Sequence, residues 1–176
     1  MTLSEHLIYV GVGSNIAPEE NIEKAITLLA AYAQVVDVSG FYWNAALDRD
    51  GLPSGQARFL NGACAVATQR DSDAFKEHVL RSIEHTLLRV RTEDQFAART
   101  IDLDVLVEAG QNGKWRVLDD GIWKHAFIFR PLYELLKDKP LDGELSGFKK
   151  MGMQLDATGL ERHAVLTSRL QERIRQ

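Results

Sequence analysis

The chain has 176 residues, 26% of them charged and 45% hydrophobic, with a formal net charge of −4 and a single cysteine. That length suits one domain with a substantial core, and the negative charge argues against a general nucleic-acid binder, which needs a basic surface. Cys64 alone excludes an internal disulfide or a cysteine-built zinc site. The apolar run Leu7–Val12 is too short to span a membrane, and the first residues lack the basic start of a signal peptide. A cytoplasmic protein with no membrane association is expected.

Leu7–Val12 is nearly all apolar and predicts a central first strand. Gly13-Ser14-Asn15 forms a turn cluster, and Pro18 opens a helix whose buried stripe is Ile22, Ala25, Ile26, Leu29 and Ala33. A second strand is expected over 35–42. Residues 43–58 lack periodicity and predict a long loop of the kind that carries function. The third strand, about 59–68, alternates around Gly62, Ala63, Ala65 and Ala67, as if something packs closely on it. Asp71 and Ser72 offer caps for a second helix with Phe75, Val79, Ile83 and Leu87 buried.

Arg99-Thr100-Ile101-Asp102-Leu103-Asp104-Val105-Leu106-Val107 predicts a fourth strand. Its alternation puts Ile101, Leu103, Val105 and Val107 on one face and Asp102 and Asp104 on the other. Carboxylates about 5 Å apart repel by roughly 3 kcal/mol at an effective dielectric of about 20, so that face either meets water or receives a cation. Aspartate is depleted in strands, and Arg89, Arg91 and Arg99 lie just upstream. A hard divalent metal with arginines is the equipment for handling a polyphosphate. Further along, Asn112-Gly113 suggests a hairpin pairing the strand end with 114–118, Arg130 begins a short helix, and Thr158 could cap a last helix to about Ile174.

The order β-α-β-β-α-β predicts an α+β, ferredoxin-like antiparallel sheet with helices on one face and a free second face. Asp102 and Asp104 should point to that free face, together with one register of the third strand that includes Asn61 or its neighbours.

Gly13-Ser14-Asn15, Phe41-Tyr42, Phe59-Leu60-Asn61, Ile83-Glu84, Arg89-Val90-Arg91, Arg99-Thr100-Ile101-Asp102-Leu103-Asp104, Phe127 and Pro131-Leu132 occur in that order. This set resembles the 6-hydroxymethyl-7,8-dihydropterin pyrophosphokinase family of folate biosynthesis, over residues 7–145, with 146–176 as a C-terminal helical extension of a single domain. The resemblance implies the ferredoxin-like fold and Mg-ATP-dependent transfer of pyrophosphate to a pterin alcohol, releasing AMP. By the same resemblance Asp102 and Asp104 would hold two magnesium ions. Arg89 and Arg99 would serve catalysis from a mobile loop, and Glu84, Arg91, Phe96 and His125 would lie on the ATP side. Asn61 would read the pterin edge, Phe59 and Phe127 would sandwich its ring, and Asn44 and Leu47 would add loop contacts. Partners would be small molecules only, and a monomer is expected.

Some residues depart from the family pattern. Phe59 stands where Tyr is frequent and Phe96 where Trp is frequent. Leu118-Asp119-Asp120-Gly121 replaces a stretch with a Pro-His pair, and its carboxylates would repel phosphate. His125 stands in place of an arginine, with Lys124 beside it. Ala45-Ala46 replaces prolines, leaving that loop less preorganised, and Ala97-Ala98 replaces a Gly-Pro pair, altering the mobile-loop hinge. A divergent member follows as an alternative: a paralogue that binds pterin with weak or no transfer, or an enzyme for a related heterocyclic alcohol.

Overall fold

The computed structural model describes residues 6–90, 97–110, 114–152 and 159–175. The first strand, β1 (His6–Ser14), is central as its apolar run requires, pairing antiparallel with β4 (Phe59–Thr68) and β5 (Asp102–Ala109). Between β1 and β4 come α1 (Pro18–Tyr32), β2 (Gln34–Val38) and β3 (Tyr42–Asn44). Between β4 and β5 runs one helical stretch: α2 (Ser72–Phe75), a π-helical turn (Lys76–Leu80) and α3 (Arg81–Thr86). This is the ferredoxin-like βαββαβ core. To it the chain adds β6 (Trp115–Val117) beside β5, β7 (Glu161–Arg162) beside β3, and helices α4 (Ala126–Leu136), α5 (Phe148–Gly152) and α6 (Ala164–Ile174).

The single strand expected over 35–42 is two. Both β2 and β3 pair with β4, and the break falls at Ser39-Gly40-Phe41. There the Ser39 hydroxyl accepts the Ala63 N–H at 2.8 Å while Phe41 turns inward over Gly62. A Cβ on Gly62 would stand 2.5 Å from the Phe41 ring, so only glycine fits beneath it. The loop expected from Trp43 accordingly starts after Asn44, and a Leu47–Pro53 bridge closes its tip.

One sheet face packs Ile8, Val10, Val12, Leu60, Cys64, Val66, Leu103 and Val105 against α1 and the α2–α3 stretch. α6 joins the same core through Leu166 and Leu170. On the other face α4 and α5 bring Phe129, Leu132, Leu136 and Phe148 onto Tyr9, Ala63, Ala65, Leu106 and Val107. The small side chains of β4 are the seat for α4. Among the described residues the second face stays open where β1, β4 and β5 carry Gly11, Gly13, Asn61, Asp102 and Asp104.

Val107 corrects the simple alternation. Opposite β5 the register shifts between Tyr9 and Val10, which pair with Val107 and Val105. Leu106 is the additional residue of a bulge, and a one-residue slip turns everything beyond it to the other face. Val107 joins the α4 side, and Glu108 is buried on the helix side, accepting from Ser72 Oγ at 3.0 Å.

α4 begins at Ala126 rather than Arg130. The Asn112-Gly113 turn and the Thr158 cap lie outside the described residues; α6 starts at Ala164, where the His163 ring nitrogen Nδ1 accepts from Leu166 N–H at 3.3 Å. Among the described residues no helix is long and apolar enough to cross a membrane.

Candidate active site

Strand register assembles the site. Gly13 pairs with Asn61 on one side and Asp102 on the other, and Gly11 pairs with Ala63 and Asp104. Residues paired across antiparallel strands share a face, so Asn61 and Asp102 flank a floor without side chains. The Asn61 carboxamide oxygen lies over Gly13, closer to the position of a Cβ there than any real side chain tolerates.

Above this floor lies a cavity of about 450 Å³, lined by Asn44, Leu47, Phe59, Asn61 and Phe127 together with Arg99, Asp102 and His125. A smaller space of about 90 Å³ adjoins it and shares Gly13, Asn61, Asp102 and Phe127, adding Asp104 and Asp119. All five residues expected to contact a pterin thus border one cavity. Asn61 is held by its Nδ2, which donates to Asn44 Oδ1 at 2.6 Å, and Asn44 donates in turn to Ala45 O at 2.9 Å. His125 stacks on Phe127 with ring centroids 5.1 Å apart and planes 20° from parallel.

A chain of charges runs behind the floor. Glu84, only 3% exposed, accepts from the Leu103 N–H at 3.1 Å and pairs with Arg89 Nε at 3.2 Å. Arg89 Nη2 meets Asp102 Oδ1 at 2.8 Å, and Arg99 Nη1 binds the other oxygen of Asp102. Glu84 is a buried strut beneath Arg89 rather than a solvated helix charge. Burial pushes the Asp102 carboxyl above the usual aspartate range, and the Asp104 charge adds to this against the pull of Arg99 and Arg89. The folded state holds this proton more tightly than the unfolded chain. This group's contribution to stability therefore falls as pH rises from the ordinary aspartate range through the raised value.

The end of α3 aims Arg89. Leu88 adopts φ +58° and is 78% exposed. Around it the Arg89 N–H reaches Glu84 O at 2.9 Å and the Leu88 N–H reaches His85 O at 3.0 Å, the bonds of a Schellman cap. A glycine usually fills this left-handed position, because a Cβ there costs roughly 1–2 kcal/mol. Leu88→Gly is expected to stabilise the protein by about 1 kcal/mol and raise Tm by roughly 2–4 °C, read by thermal denaturation. A lower Tm would show that the Leu88 side chain contributes more than the backbone strain removes.

Arg99 is pinned from the first turn of the sequence. Asn15 Oδ1 accepts the Arg99 N–H at 2.6 Å, Asn15 N–H donates to Arg99 O at 3.1 Å, and Ser14 Oγ donates to Thr100 O at 2.6 Å. The Gly13-Ser14-Asn15 cluster reads as a turn in the sequence; its task as a clamp on Arg99 emerges only in three dimensions. Lys76, without any sequence signal for a site role, places Nζ 3.2 Å from Asp104 Oδ1. Arg91 and Phe96 lie outside the described residues. Asp119 spends one oxygen on the Gly121 N–H at 2.7 Å, while Asp120 and His125 are exposed.

The donor set suits magnesium. Asp102 and Asp104 offer hard carboxylate oxygens, and the Asp104 side chain is 47% exposed, leaving room for waters and phosphate oxygens. Among the described residues no cluster of three or more His, Cys, Asp or Glu could cage a metal. Magnesium is ordinarily held by one or two carboxylates plus substrate phosphates, so two aspartates suffice.

The family model described as 7,8-dihydro-6-hydroxymethylpterin-pyrophosphokinase matches residues 9–137. The chain is also 27% identical over 150 residues to a folate synthesis bifunctional protein of Arabidopsis thaliana, an alignment covering 78% of this chain. It spans 28% of that relative's length. With the match extending from β1 through α4 and taking in Asn61, Arg89, Arg99, Asp102, Asp104 and Phe127, the chain belongs to the 7,8-dihydro-6-hydroxymethylpterin-pyrophosphokinase family.

Proposed function

We propose that this protein transfers pyrophosphate from Mg-ATP to the hydroxymethyl group of 6-hydroxymethyl-7,8-dihydropterin and releases AMP, a step of folate biosynthesis. The observation that carries this reading is the meeting of Asn61, two aromatic rings, Asp102 and Arg99 around one cavity. Asn61 offers a donor and an acceptor to the edge of a flat heterocycle, and Phe59 and Phe127 offer apolar faces to its ring. Asp102 and Asp104 would hold two magnesium ions, which when bound would neutralise charge on the transferred phosphoryl group and align the reactants. Arg89 and Arg99 bring positive charge to the polyphosphate, held ready on Asp102 until it arrives. The alcohol oxygen bonds to the β-phosphorus as its bond to the α,β-bridging oxygen breaks. AMP leaves with that electron pair, and the alcohol proton is released. No covalent enzyme intermediate is needed.

The deciding experiment is a coupled AMP-release assay with the dihydropterin alcohol and Mg-ATP. Release that requires both substrates and magnesium supports the reading; no release above background removes it. Gly13→Ala tests the floor separately. The new methyl displaces the Asn61 carboxamide, and pterin affinity by calorimetry is expected to fall at least roughly tenfold, as when a site hydrogen bond is lost. Unchanged affinity would take Asn61 out of pterin recognition.

A second reading, a pterin-binding paralogue with weak or no transfer, is favoured by Asp119, whose carboxylate shares the smaller cavity with Asp102 and Asp104. It predicts pterin affinity with little enhancement by ATP. Strong mutual cooperativity of ATP and pterin in calorimetry counts against it.

A further inference from the structure

We propose that Lys76 is a nucleotide-binding cation of this site, parked on Asp104 and passed to the triphosphate when Mg-ATP enters; this rests on the reading of the site as one for Mg-ATP. Two independent features place Lys76 there. The first is the shape of its helix. Phe75, Val79, Ile83 and Leu87 repeat every four residues, a spacing too long for a turn of 3.6. The chain takes up the excess in the π-helical turn Lys76–Leu80, closed by the Arg81 N–H on Lys76 O, and so buries Val79 and Leu80 together. Wide turns of this kind recur at functional sites. Lys76 opens this one, on the flank nearest β5.

The second feature is the edge of the sheet. Helices α2 and α3 cover one face, whereas Asp104 points to the other. β6 pairs only with residues 107–109 of β5. On the side of β5 away from β1, no strand among the described residues lies beside 102–104, and the Lys76 stem passes round that edge to set Nζ 3.2 Å from Asp104 Oδ1.

Stability does not account for the pair. Its ends are 41% and 47% exposed, and exposed ion pairs contribute little to folding. Charge accounts for it better. Arg89 and Arg99 both pair with Asp102, Arg89 already shares its charge with Glu84, and Asp119 adds an anion to the smaller cavity. The Asp104 end of a bound triphosphate therefore needs a further cation. A lysine ammonium is a point charge on a flexible stem, suited to a partner that changes during binding. With Asp104 engaged by a divalent cation, Lys76 is repelled from that oxygen. A phosphate oxygen of the bound nucleotide would then offer it an anionic partner in place of that carboxylate.

The test is calorimetry with magnesium and α,β-methylene-ATP, an analogue that resists cleavage at the transferred bond, on wild type, Lys76→Met and Lys76→Arg. Lys76→Met is expected to weaken nucleotide binding by about tenfold, the loss of one charge-assisted hydrogen bond. Lys76→Arg should stay within about threefold of wild type, since the charge is kept. The pterin alcohol alone and magnesium alone should bind Lys76→Met no more weakly than wild type, which localises the loss to the nucleotide. Nucleotide affinity of Lys76→Met equal to or tighter than wild type overturns the assignment. If wild type releases AMP and Lys76→Met binds nucleotide normally, this inference falls alone. If wild type releases no AMP yet nucleotide binding depends on Lys76, the reaction falls and the contact stands. Absence of nucleotide binding by wild type overturns both.

Discussion

Replacement of Asp104 by alanine is expected to abolish magnesium-dependent AMP release while leaving Tm within about 2 °C of wild type. The two halves of that expectation have separate causes. Asp104 is half exposed, and its ion pair with Lys76 is exposed at both ends, so little folding energy is lost with it. Under the proposed function its carboxylate and that of Asp102 are the two assigned to magnesium, so transfer is lost with it. Activity and thermal denaturation on the same preparation decide the matter. Turnover equal to wild type would remove Asp104 from metal binding, and a large fall in Tm would show that the strand needs this carboxylate to fold.

Glu84→Ala carries the opposite pattern, a large effect on both readouts. The Glu84 carboxylate is buried, takes the Leu103 N–H and braces Arg89, whose side chain is itself 9% exposed. Its removal leaves a buried backbone donor without that acceptor and a buried guanidinium with one fewer counter-charge. Losses of this kind cost roughly 2–4 kcal/mol, or about 4–16 °C in Tm for a chain of this size. Arg89 also loses the group that sets its angle toward Asp102, and AMP release is expected to drop at least about tenfold. Glu84→Gln separates the contributions: the amide oxygen can still accept from Leu103, so most stability returns, while Arg89 lacks its counter-charge and activity stays low. Wild-type stability in Glu84→Ala would mean that the strut carries no load.

What each variant reports follows from how its residue came to the site. Asp102 and Asp104 reach it through the two-residue period of a strand, and the alternation from Ile101 to Val105 already places them on one face. Asn61 comes by the same rule, in a strand whose bounds, 59–68, are visible in the sequence. The start of α1 at Pro18 and the cap at Asp71 are equally local, because a fixed φ or a single side-chain oxygen decides them. Other features depend on groups far apart in the chain. The split of β2 from β3 turns on Phe41 meeting Gly62 and Ser39 meeting Ala63. The crossing of Val107 to the α4 side depends on a register shift against Tyr9 and Val10. The four-residue spacing from Phe75 to Leu87 hints at a wide helical turn, yet which carboxylate Lys76 reaches is set by where β6 stops.

The sequence alone determined the periodic elements, their order, and the acidic strand face with the arginines that precede it, since these rest on interactions within a few residues. Tertiary structure alone decided that Glu84 is buried under Arg89, that Asn15 clamps Arg99, that α4 covers most of the second sheet face, and that Lys76 faces Asp104. Each of these is a meeting of side chains brought together by strand register and helix packing, and neither is encoded in the local pattern of the residues that meet.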